Sequence, residues 1–130
     1  MFHAAARRCV PVDEHDLALR RKIFAAFAAT GSPPALDEDL TSLAEQHVVA
    51  LDDDARVWMA HPFAAHDEGA TVSSGGRTWR GNCAWDAYGI AAALELQEPV
   101  IESQGVRAGP GVVFHVAVPA ARWWDDIAFT

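Results

Sequence analysis

The chain has 130 residues, 51% of them hydrophobic and 22% charged, the balance of one ordinary globular domain or two small units on a shared core. Its formal net charge of −8, from 18 acidic and 10 basic side chains, repels phosphate backbones, and no apolar run is long enough to cross a bilayer. A cytoplasmic protein with neither nucleic acid nor membrane as partner is the expectation. Residues 1–12, which lack the apolar core and cleavage site of a signal peptide, read as a tail carrying an incidental thiol, Cys9.

The first predicted helix runs from about Asp13 to Thr30. Asp13 serves as N-cap with Asp16 as its third-position partner, and Leu19, Ile23 and Phe27 recur every four residues. Gly31 ends it and Pro33-Pro34 prevent resumption. Arg20-Arg21-Lys22 lies on this helix among acidic residues and reads as a solvated face. A shorter helix is expected from about Asp37 to Gln46. Val48-Val49-Ala50-Leu51 and Arg56-Val57-Trp58-Met59 then read as a hairpin across the acidic turn Asp52-Asp53-Asp54, which lacks the Gly and distant Glu of a calcium loop. Two helices and a hairpin outline an abbreviated winged-helix-like unit over residues 13–60.

His61-Pro62-Phe63 breaks the strand pattern and reads as a connection. Thr71-Val72-Ser73 and Arg77-Thr78-Trp79-Arg80 follow, joined through Gly75-Gly76, a strong hairpin turn. Asn82 reads as an N-cap and Cys83 as the first turn of a helix reaching about Leu96, with Trp85, Tyr88, Ala92 and Leu96 facing the sheet. Val100 to Ser103 reads as a strand. Beyond the Gly-rich turn from Gly105 to Gly111, Val112 to Val118 has the clearest strand pattern in the chain. The fold class is therefore α+β, with residues 61–130 forming a small core of mixed sheet and helix.

The chemistry concentrates on Cys83 and Asp86. At three residues' spacing in a helix start, a thiol and a carboxylate share one face, and the unpaired backbone N–H groups there favour a thiolate. A helix start lowers a thiol pKa, and thiolate sulfur takes soft, thiophilic metals. The competing reading of Cys83 is a small buried hydrophobe. Asp86 tips the balance, because a carboxylate in an apolar helix is costly to bury without work to do. Five tryptophans suit core anchoring, and Trp85 can also wall a pocket beside the sulfur. Of the six histidines none is spaced as a helical zinc site, and surface or core positions are expected for them. His115 on the predicted last strand is a weaker pocket candidate. Nucleophile-elbow serine and phosphate-loop motifs are absent.

Asn82-Cys83-Ala84-Trp85-Asp86-Ala87-Tyr88-Gly89-Ile90 resembles the signature of the organomercurial (alkylmercury) lyase family. Met59-Ala60-His61-Pro62-Phe63 and the segment from Val118 to Ile127 also resemble stretches of its more divergent members. The resemblance implies a winged-helix-like unit joined to an α+β core, and protonolysis of a carbon–mercury bond without a resident cofactor. By motif, Cys83 corresponds to a mercury-binding cysteine and Asp86 to the proton carrier. The family's second cysteine has no counterpart, since its place lies beyond Thr130, and the core is expected to be cut short there by truncation, divergence or a recoded selenocysteine codon. The expectation is thus a lyase-like protein acting on an organomercurial. The alternative is a catalytically incomplete homologue that holds a thiophilic metal ion or small apolar ligand. A winged-helix regulator fits the charge poorly, and an abrupt terminus could promote homo-oligomers.

Overall fold

The structure, a computed structural model, describes residues 13–109 and 111–126. The tail at 1–12 with Cys9, and the residues from Ile127 to Thr130, lie outside the described residues. Helix α1 spans Glu14–Thr30. Asp13 is its N-cap, accepting from the His15 N–H at 2.9 Å. Gly31 closes it in the left-handed region at φ 76°, and the Gly31 N–H donates to the Phe27 carbonyl. A side chain there would also strike the Thr78 carbonyl oxygen, so the position is fixed twice over.

Leu19, Ile23 and Phe27 form the buried stripe of α1, as their spacing predicts. Each is worth about 2 kcal/mol of apolar burial. Asp16 does not complete a capping box. It is buried and accepts from Ser42 Oγ and Gln46 Nε2, each at 2.6 Å, which ties α1 to the second helix. That helix, α2, is shorter than expected and covers Thr41–Glu45. Pro33, Pro34 and the turn chemistry of Asp39, whose carboxylate takes the Thr41 N–H, delay its start.

Strands β1 (Ala50–Leu51) and β2 (Val57–Ala60) form the expected hairpin. Its acidic turn is built on Asp52, whose Oδ1 accepts from the Asp54 and Arg56 N–H groups at 2.9 Å. The stretch read as a connection instead turns at His61-Pro62 and returns as β3, Phe63–Ala64, antiparallel to β2. Phe63 stacks on Phe27 at 5.2 Å, so apolar burial holds the short return that the proline seemed to forbid.

Strands β4 (Ala70–Ser74) and β5 (Arg77–Gly81) pair in full register through the Gly75-Gly76 turn. With β6 (Val100–Ser103) and β7 (Val106–Arg107) they make a four-stranded antiparallel sheet in the order β5-β4-β6-β7. Helix α3, Ala84–Ala93, packs across β4, β5 and β6. One apolar core runs from α1 through both sheets to α3, joining Phe27, Val57, Val72, Trp79 and Ile90. The architecture is α+β.

Two expectations fail here. The face of α3 that meets the sheet carries Ala87 and Ile90; of the four residues expected there, Tyr88 and Leu96 are half-buried against the core, whereas Ala92 is exposed and Trp85 is 55% exposed. The cause is Gly81 on β5. A Cβ there would stand 2.7 Å from Asp86 Cβ and 2.9 Å from the Ala87 nitrogen. Helix and strand approach so closely that a large ring cannot lie between them, and the Trp85 ring turns aside. Second, residues 112–118 are not a strand. Val112, Val113 and Val116 are exposed, and no ladder pairs this segment among the described residues. Alternating apolar character needs an open edge to pair with, and the two-residue β7 offers little of one. Ala120–Asp125 then forms a 3-10 helix.

Candidate functional site: a thiol and a carboxylate beside an aromatic cavity

Cys83 is itself the N-cap of α3, extended at φ −145° and ψ 177°, and not a first-turn residue capped by Asn82. Sulfur is a poor hydrogen-bond acceptor, and the Cys83 side chain caps nothing. It faces Asp86 instead, donating to Oδ2 with Sγ and Oδ2 3.6 Å apart. The backbone closes the turn beneath this contact, the Ala87 N–H donating to the Cys83 carbonyl at 3.2 Å. The close approach at Gly81 presses the Asp86 stem against β5 and fixes the carboxylate's position.

Asp86 is only 12% exposed, and its other oxygen, Oδ1, lies 3.7 Å from His61 Nδ1. The turn between β2 and β3 thereby brings His61 to the carboxylate. Spacing along the chain gave no sign of this, because 25 residues separate the two, and only the strand return delivers it.

The thiol is half-buried, and burial is the main force raising its pKa above the ordinary value of 9.0. The N–H groups of Asp86 and Trp85 pull the other way, as a helix start should, but the Asp86 carboxylate's charge and hydrogen bond reinforce the rise. The expected lowering is reversed. Cys83 at neutral pH is a thiol that donates its hydrogen bond to Asp86.

Both groups open on a cavity of about 380 Å³. Asn82, Cys83, Trp85 and Asp86 line one side with His61, and residues from Phe114 to Val118 with Trp123 line the other. The two pocket candidates from the sequence, Trp85 and His115, are both in this lining. Phe114 meets Trp85 and Tyr88 edge-on, each at 5.2 Å. Trp123 donates its indole N–H to the Val118 carbonyl at 2.8 Å. The neighbouring Trp124 stacks on His47 at 4.4 Å and stands edge-on to His61 at 5.7 Å.

Sequence reasoning missed His61, Phe114 and Trp123 as wall residues. The signal for Phe114 was present in the apolar run, but read as sheet. Among the described residues, no group of three or more His, Cys, Asp or Glu side chains is arranged to hold a metal ion. Cys83 is the one free cysteine among them. The arrangement suits a ligand that needs a single sulfur bond. No family model matches the chain, and neither does any curated protein or solved structure.

Proposed function

We propose that this is an organomercurial-lyase-like protein, in which Cys83 takes an R–Hg⁺ group and Asp86 protonates its carbon. The observation that carries the reading is the 3.6 Å contact between the thiol and a nearly buried carboxylate on the edge of an apolar cavity. Mercury in R–Hg–S is two-coordinate and linear, so one thiolate suffices for capture and the missing three-ligand cage is no obstacle. The order of elements supports the finer fold reading as part of the same proposal: a winged-helix-like unit packed on a lyase-type core.

The proton balance closes within the pair. R–Hg–X meets the thiol; the S–H proton passes to the Asp86 carboxylate, the S–Hg bond forms and X⁻ leaves. The Asp86 carboxylic acid then gives that proton to carbon as the C–Hg bond breaks, and its electron pair becomes the new C–H bond. R–H departs, and Hg(II) remains on the Cys83 sulfur beside the regenerated carboxylate. The metal's oxidation state does not change. Release of the ion falls to an external thiol.

A second reading, capture without turnover, is favoured by one observation: Cys83 is the one cysteine among the described residues. A second thiolate would push electron density onto mercury and ease C–Hg cleavage. Incubation with phenylmercury and measurement of benzene release separates the two. Catalytic benzene supports the lyase, whereas stoichiometric mercury with no benzene leaves the binding protein. Cys83→Ser is expected to abolish mercury binding. Asp86→Ala is expected to keep binding and lose benzene release.

A further inference from the structure

We infer that this site selects an aromatic group on mercury over a methyl group, with Phe114 as the residue that sets the preference. The inference rests on the organomercurial reading above and adds the class of R group. Its first support is size. A cavity of about 380 Å³ has room for about a dozen waters, far more than a methyl group displaces. A methylmercury bound at Cys83 would leave most of the apolar wall wet.

The second support is wall chemistry. Trp85 is 55% exposed although it lines the cavity two residues from the sulfur, so its indole presents open apolar surface beside the bond-forming atom. Phe114 stands across from the helix with its ring at 90° to Trp85 and 86° to Tyr88. These are the edge-to-face geometries in which a ring's positive edge meets a negative face, and a further ring entering the cavity continues the same pattern. Val116, Val118 and Trp123 extend the wall without adding charge. Of the titratable groups lining the chamber, Asp86 contacts Cys83 and His61, and His115 follows Phe114 on the facing segment.

The third support is how the wall is attached. Phe114 belongs to a segment with no strand ladder among the described residues, and its ring meets α3 through the Trp85 and Tyr88 rings. Such a wall adjusts to a planar ring more readily than a sheet does.

The test is transfer of methylmercury, phenylmercury and 1-naphthylmercury from glutathione to the purified full chain, with the Cys83 adduct quantified by mass spectrometry. Exchange between two thiols cancels the intrinsic sulfur affinity of each R–Hg⁺, leaving the contribution of the pocket. Transfer constants about tenfold larger for phenyl than methyl, and larger again for naphthyl, are expected. Phe114→Ala, checked for folding by circular dichroism, should shrink the phenyl-to-methyl ratio severalfold, and Phe114→Tyr should preserve it. Equal transfer of all three to Cys83 overturns the inference while leaving the organomercurial reading intact. A phenyl preference that survives Phe114→Ala overturns the role given to Phe114. Failure of all three to reach Cys83 overturns the organomercurial reading itself.

Discussion

The cavity has two walls of opposite construction. On one side, α3 lies on a four-stranded sheet whose register is complete, and Ile90 and Ala87 are sealed against it. On the other, residues 112–118 lack a ladder, Val113 is 88% exposed, and ring contacts tie the stretch to the body at Phe114 and, further along, at Trp124. Cys83 and Asp86 sit on the sheet-backed wall and aromatic rings on both. On the proposed lyase reading, chemistry that needs sub-ångström placement is mounted where cooperativity is greatest, and recognition where adjustment costs least.

Mutations should separate the walls by size of effect. Ile90→Ala, at the centre of the sheet-backed side, should cost about 3 kcal/mol in denaturant unfolding and loosen the site with it. Gly81→Ala should cost about 2 kcal/mol, because the added methyl meets helix backbone that cannot retreat; Asp86 then shifts, and on the proposed lyase reading R–Hg⁺ turnover falls more than binding. Phe114→Ala, on the looser side, should cost less than about 1 kcal/mol, since half-buried rings outside the ladder carry little of the fold. An equal loss at Phe114 and Ile90 would show that both walls belong to one cooperative unit. Away from the site, both ring nitrogens of His66 are buried without a partner while the ring stacks on Trp58 at 4.5 Å. His66→Phe keeps the stack and should raise stability by about 1 kcal/mol.

The pH dependence of Cys83 probes the buried side directly. Because its pKa is raised, folded protein keeps the thiol proton above pH 9.0, where an ordinary thiol has lost it. Alkylation by iodoacetamide at Cys83 should therefore run slower than with a small free thiol at pH 8, and its rate midpoint should lie above 9.0. The linkage has a sign: the unfolded chain holds fewer protons in that range, so stability falls as pH rises past 9.0. A midpoint below 9.0 would mean that the helix N–H groups outweigh burial.

What could be read from residues alone was what neighbours along the chain decide. Asp13 and Gly31 bracket α1, and Gly75-Gly76 sets the hairpin of β4 and β5, because caps and turns are local chemistry. The pairing of Cys83 with Asp86 was equally local. The rest depended on distant partners. Which face α3 buries is dictated by Gly81 on another strand. Whether Val112 to Val118 pairs depends on an available edge, and His61 reaches Asp86 through a chain reversal that its own residues disguise. The thiol's raised pKa likewise follows from burial, which no helix-start rule contains.

Two indoles, Trp85 and Trp123, line the chamber that Cys83 opens on, and a third, Trp124, rests against His61. A heavy atom quenches tryptophan emission at short range. Loading of this protein should therefore dim its own ultraviolet fluorescence, with no label attached. If the site takes mercury as proposed, the fold carries an optical gauge of its occupancy, readable in a stopped-flow cuvette on the timescale of capture.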